Sequence, residues 1–505
     1  MSRRIWAGSL MPSRASRTTR GRTMVTTGSN TRTTRSGATD ESHASGSLFA
    51  TLWACAHVIH AWHQGGDAPD QPLSDPWLAL VLVAALVLLG RPSSHHRLLV
   101  LAVAQLAAFA AQMPFVANHW TIAAFVNAGI IVAYVRARRT GHEDAAGCLM
   151  HLAPYARWVF LISYSAAAVA KLNATFLDPS HSCALATFEP VAQWLGAAMP
   201  AGAAAYVVTW GAAGIELIIP LMLLTPRFRA VGIALGLTFH VLLAATPVVV
   251  VMDFTAVVIA LLLLFAPGDI GARLRHDAQD FARRRATLVR HLSRIGPVAR
   301  PSAAMLVILL ATSRAMWIGE TAFAIATWTA FLIFGAVVLG AGLALLASSK
   351  HTSVPMPAAG SRPSAVHLVL VIVLVLNAAS PYMGFKTTSS FTMFSNLRTE
   401  AEATNHLFLP RLAIVGYQDD LAEVRSSSND VLQGYARAGQ LITMHELRRV
   451  LSTDPEASVH YVHSAEHHHL AAAEHDPDLV GLPFLQRKLL HFRSVTPTGS
   501  PICQP

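Results

Sequence analysis

The sequence predicts an all-α polytopic membrane protein, with about eleven transmembrane helices and a small C-terminal α+β domain outside the cytoplasm. Three observations carry that prediction. Hydrophobic residues make up 53% of the chain and charged residues only 13%, against about 25% charged in a soluble domain. Apolar runs recur from residue 46 to residue 380, and lipid leaves helices as the expected way to pair their backbone groups. The arginines gather in alternate loops between those runs, which is the pattern of cytoplasmic loops. The net charge of +10 therefore points to the lipid bilayer as partner and gives no reason to expect nucleic acid.

Residues 1–45 are rich in Arg, Ser, Thr and Gly and lack aliphatic periodicity, so a disordered basic tail is expected there. No small-residue cleavage site follows the first apolar run, so a cleaved signal peptide is not expected. The runs are 46–62, 77–89, 98–115, 120–135, 154–171, 203–224, 228–246, 249–266, 303–318, 323–347 and 365–380. Several are shorter than the roughly 20 residues that a span needs, so neighbours are open to merging. From residue 381 the composition turns mixed and amphipathic, as in MHELRRVL (444–451). Residues 381–505 are expected to form the extracytoplasmic domain.

The basic loops are 90–97, 136–143, 225–229 and 267–301, the last with eight arginines from Arg273 to Arg300. The loop 63–76 carries Asp67, Asp70 and Asp75, and 172–202 is nearly neutral. Eleven spans put every basic loop on one side. The positive-inside rule then predicts a multi-pass protein of the cell membrane, its N-terminus in the cytoplasm and its C-terminus outside. Four cysteines are too few for a disulfide scaffold. Cys183 and Cys503 both fall on the oxidising side, which makes them the candidates for a bridge.

Polar side chains inside apolar runs are the candidate chemistry. Lys171 ends PYARWVFLISYSAAAVAKLN (154–173). Two readings stand open: a lysine that snorkels to the interface, or a desolvated amine that accepts a proton. Asn118 and His119, in ANHW, lie on the same expected membrane face, where a histidine orients a polar substrate or is simply satisfied within the fold. Glu216 sits in mid-helix in AAGIELIIPLML and must be paired or protonated, with His240 of LTFHVLLAA as one partner. Asp253 is placed to cap a helix. Arg314 and Glu320 read as a helix-to-helix salt bridge. The run His467, His468, His469, near His463 and His475, points in alternating directions with no cysteine or spaced carboxylate, so no dedicated metal site is expected. Asn173-Ala-Thr175 matches a glycosylation sequon. The chain has no phosphate-binding loop, CxxC pair or HExxH.

The segment ISYSAAAVAKLNATFLDP (162–179) resembles a stretch of the vitamin K-dependent γ-glutamyl carboxylases and of their bacterial relatives, the horizontally transferred transmembrane (HTTM) domain proteins. ANHW (117–120), FHVLLAA (239–245), DFTAVVIALLLLFAP (253–267) and SPYMGFKTTSSFTMFSNLRTE (380–400) look like further pieces of that family in the same order. The resemblance covers residues 46–270 best. It implies a helical membrane fold and a lysine base at Lys171, with His119 assisting, that deprotonates a reduced quinone such as vitamin K hydroquinone. In the carboxylases, oxygenation of that quinone then drives glutamate carboxylation. Residues 381–505 are fewer than the lumenal region that grips a propeptide in the animal enzymes, so peptide carboxylation is not carried over. The other class of function compatible with the sequence is a non-enzymatic transporter or assembly factor that keeps the fold.

Overall fold

The structure is a computed structural model, and it describes residues 30–65, 75–245, 251–284, 320–348, 363–401, 404–497, 501 and 503. The expected run 303–318, with Arg314, lies outside the described residues. Every other apolar run forms a helix. These are α1 (Asn30–Gly65), α2 (Pro76–Leu89), α3 (His95–Gln112), α4 (Asn118–Arg139), α5 (Ala145–Ala170), α8 (Ala203–Leu224), α9 (Arg229–Ala244), α10 (Met252–Leu262), α12 (Glu320–Ser348) and α13 (Ala365–Met383). Between them lie the short α6 (Ala174–Leu177), α7 (Cys183–Leu195) and the basic α11 (Ile270–Arg284). The helix that the tail was expected to precede begins at Asn30, inside the tail itself. Extending an existing helix fixes one residue per added hydrogen bond, whereas starting one is costly, so a polar stretch follows its apolar neighbour into the helix.

Four described helices, α4, α5, α8 and α13, are long and apolar enough to cross a membrane, and a bent pair over Met252–Phe265 and Ile270–His276 raises this to five. That is fewer than the expected eleven. Among the described residues, α2 with 14 residues and α9 with 16 are apolar but shorter than that count requires. The 106° break in the bent pair frees carbonyls near its apex. Arg157 of α5 donates to one of them, Leu264 O, at 2.7 Å.

Local sequence sets the helix ends. Asp75, Ser94 and Asp144 each accept a backbone N–H in the first turn of α2, α3 and α5, as N-caps do. Consecutive helices α2 to α5 pack on one another, and α5 also packs on α8 and α13. The core that they share with α1 holds Trp53, Leu88, Leu101, Trp120, Ile130 and Tyr155. Gly129 lets α4 meet α5 closely, since a Cβ there would collide with the Tyr155 ring. That ring stacks on His367 of α13 at 4.6 Å, and its hydroxyl donates to Phe125 O at 2.9 Å.

Past α13 the chain crosses the end of the bundle before it reaches a four-stranded antiparallel sheet. The strands are β1 (Leu421–Ser427), β2 (Leu441–Thr443), β3 (Val459–His463) and β4 (Glu466–Leu470), in the order β2-β1-β3-β4. Four helices, α14 (Asp430–Ala438), α15 (Met444–Leu451), α16 (Pro477–Val480) and α17 (Phe484–Leu489), accompany it. Ala422, Val424, Leu432, Ile442, Leu447 and Tyr461 form its core. The mixed α and β character expected of this region is present. It is fastened to the bundle: Lys488 donates to Ala111 O and Met113 O, both at 2.9 Å, and the Arg449 guanidinium lies 4.4 Å from the Phe115 ring. Cys183 and Cys503 are joined in a disulfide, with Cα atoms 5.2 Å apart, and Cys55 and Cys148 are buried free thiols.

Beside the buried Glu446–Arg449 pair, His445 is enclosed by the rings of Tyr417 and Phe492. Burial pushes its imidazole down to about 4 from 6.5. In that window the unfolded chain binds a proton that the folded chain refuses, so stability falls as pH drops from 6.5 towards 4. Thermal melts of the purified protein in detergent are expected to show that fall, and His445→Phe is expected to reduce it. A variant whose acid sensitivity equals that of the parent would refute this role.

Candidate functional site

The polar residues of the bundle assemble into three connected groups. The first is a neutral network. Trp53 Nε1 donates to Asn127 Oδ1 at 2.9 Å, and Asn127 Nδ2 donates to Gln105 Oε1 at 2.9 Å and lies 3.1 Å from His57 Nε2. His57 Nδ1 donates to Trp53 O at 2.7 Å, and this fixes Nε2 as the acceptor. Gln105 Nε2 donates to Trp120 O at 3.3 Å. All are buried, and each finds a partner because an unpaired polar group in apolar surroundings costs several kcal/mol.

The second group holds Lys171. It is only 5% exposed, so it does not snorkel to an interface. Its ammonium makes an ion pair with Glu216 of α8 at 2.9 Å and donates to Met393 O at 3.4 Å. The Phe176 ring lies 5.9 Å away. Tyr164 stands seven residues earlier on α5, hence on the same face, and its hydroxyl lies 2.9 Å from His240 Nε2. Glu216 is thus paired, but with Lys171; His240 turns to Tyr164 instead. Sequence spacing had no means of choosing between these partners, because they belong to three different helices, α5, α8 and α9.

The third group was partly expected. His119 Nε2 lies 2.9 Å from Asp253 Oδ2 and 2.9 Å from His60 Nδ1, and His60 Nδ1 lies 3.0 Å from the same carboxylate oxygen. Asp253 does not cap α10, whose N-cap is Val251; it lies in the first turn, where its Oδ1 accepts from the Phe254 N–H at 2.8 Å while Oδ2 faces both imidazoles. His60 is absent from the sequence-based expectation. Its signal, a histidine inside the run 46–62, was as strong as that of His240. Phe254 joins the second and third groups, with its ring 5.3 Å from that of His240 and 6.4 Å from that of His119.

Asn118 does not enter the third group. Its Oδ1 accepts from Phe391 N at 2.6 Å, which anchors the segment after α13 over the bundle. Asn173, the sequon asparagine, is fully buried and donates to Ala170 O and Ser395 O at 2.8 and 2.6 Å, so in the folded chain it offers no amide for a glycan. In the sheet, His467 and His469 face His460 across β3 and β4, with His460 Nε2 3.2 Å from His467 Nδ1. His468 stacks on Tyr461, His463 lies 2.6 Å from Asp420 Oδ1, and His475 is exposed. The alternating directions are as expected, but the cross-strand neighbour His460 was not foreseen. Comparison with known proteins finds no matching family model, curated protein or solved structure.

Breaking a buried ion pair at one end leaves an uncompensated charge, at a cost of about 3–5 kcal/mol. Glu216→Ala is therefore expected to lower the melting temperature in detergent markedly, and Lys171→Leu combined with Glu216→Leu to recover much of the loss. A Glu216→Ala protein as stable as the parent would show that the pair does not hold α5 to α8.

Proposed function

We propose that this chain is a bacterial HTTM-type membrane enzyme that deprotonates a lipophilic phenol, such as a reduced quinone, at Lys171. The observation that carries the reading is the enclosure of Lys171 with Glu216, Tyr164 and His240 beside Phe254, four titratable groups gathered in one buried cluster. The Lys171–Glu216 pair supports proton acceptance as a unit. Lys171 passes a proton to Glu216 and takes the phenol's proton in its place, leaving a neutral carboxyl, an ammonium and the phenolate. His119, held by Asp253, approaches Phe254 from the other side and is suited to orient the substrate. The motif resemblance at 162–179 and 117–120 supports the same pair of roles.

General acid–base groups contribute about 100- to 10,000-fold to rate. Lys171→Arg keeps the charge but cannot relay a proton, since arginine stays protonated. It is expected to express normally and to lose quinol turnover by at least about 100-fold. Full turnover with normal expression would overturn the base role. A competing reading, a non-enzymatic membrane protein, is favoured by the Lys171 contact with Met393 O, in which the lysine fastens the covering segment; it predicts an unstable but chemically silent Lys171→Arg protein.

The proposed topology has eleven spans with the N-terminus in the cytoplasm and residues 381–505 as a domain outside. The arginine-rich alternate loops support it, as does the Cys183–Cys503 disulfide, which suits an oxidising compartment. Reporter fusions after residue 400 are expected to be active only outside the cytoplasm, and a cytoplasmic reporter active there would reverse the assignment.

A further inference from the structure

We propose that His60, His119 and Asp253 form a binding site for a divalent first-row transition-metal ion, with iron(II) best matched. The three donor atoms, His60 Nδ1, His119 Nε2 and Asp253 Oδ2, all touch one another, at 2.9, 2.9 and 3.0 Å. Hydrogen bonds cannot satisfy such a triangle. Each contact needs one donor and one acceptor, and three atoms sharing two roles leave at least one contact between like partners. A cation set against the triangle removes the conflict, because all three atoms then direct lone pairs at it.

The edge lengths also select a geometry. Ligand atoms at roughly 2.1 Å from an ion and about 90° apart lie about 3.0 Å from each other, as on one face of an octahedron. A tetrahedral site with similar bonds would spread them to about 3.4 Å. Two imidazoles and one carboxylate on a single face suit an open-sided iron(II) site, whereas hard Mg²⁺ and Ca²⁺ prefer all-oxygen ligands and Cu⁺ prefers sulfur.

The donors are held from three helices. His60 comes from α1, His119 from α4 and Asp253 from α10, and they are 3%, 5% and 1% exposed. The His60 ring stacks on Trp120 at 3.7 Å, and the other Asp253 oxygen is fixed by the Phe254 N–H. The site is thus built before any ion arrives. With a metal in place His119 Nε2 is a ligand, and proton transfer stays with Lys171 and Glu216. The assignment does not rest on the proposed reaction. It is read from metal content and Co²⁺ binding, so it can fail while quinol turnover stands, and the reverse.

The test uses the full-length protein in detergent, purified without a histidine tag. The cluster of half-buried His460 with exposed His467 and His469 is a competing place for a metal, so the background carries His460→Ala and His467→Ala. This protein is expected to bind about one Co²⁺ per chain under anaerobic conditions, with a visible absorption band and a raised melting temperature. Adding Asp253→Asn or His60→Ala is expected to weaken that binding by at least about 100-fold. Absence of bound Co²⁺ in the background protein overturns the proposal, whether or not the ligand variants fold. Unchanged binding in a folded Asp253→Asn protein overturns it as well.

Discussion

In an apolar bundle every polar group must find its partner inside the protein, and this constraint orders the rest of the molecule. The Lys171–Glu216 ion pair at 2.9 Å is its most costly instance. Neither charge is tolerable alone at that depth, so the pair fixes α5 against α8. The same demand explains why Trp53, His57, Gln105 and Asn127 form a closed hydrogen-bonded network, and why Arg157 seeks the carbonyl exposed by the break after α10.

The segment after α13 answers the constraint where the bundle ends. Ser389, Phe391, Phe394 and Asn396 all hold positive φ between 49° and 63°, conformations that cost non-glycine residues of order 1–3 kcal/mol each. Contacts from several parts of the chain hold them. Asn118 accepts from Phe391 N, Lys171 donates to Met393 O, Asn173 donates to Ser395 O, and Asn396 Oδ1 accepts from Cys183 N at 2.7 Å. Asn118 and Lys171 thus shape the cover of the bundle as well as bordering its interior. Strain of this kind concentrates at functional sites, and here it lies directly over the buried lysine.

Two polar clusters converge on the first turn of α10. Asp253 draws in His119 and His60, and the neighbouring Phe254 ring separates them from His240 and Tyr164. A single turn of helix therefore organises residues from α1, α4, α5 and α9. The group on one side holds the Lys171–Glu216 ion pair, and the group on the other is a triangle of two imidazole nitrogens and one carboxylate oxygen. Both lie in a common apolar setting, in which electrostatic effects are stronger than in water.

The sequence by itself determined what local pattern can determine. Each apolar run within the described residues is a helix, because continuous hydrophobicity and capping residues such as Asp75 and Asp144 act over one turn. Lys171, His119, Glu216 and His240 stood out for the same reason: each is a polar residue within or beside an apolar run, a contrast visible without a fold. Tertiary structure alone decided the partners. Glu216 took Lys171 rather than His240, Asp253 became the centre of a triad, and His60, unremarked in its run, became a member. His460 joined His467 and His469 only through the pairing of β3 with β4. Those pairings join residues up to 193 positions apart, and nothing in local spacing encodes which helix will lie against which. The packing of whole faces sets that choice.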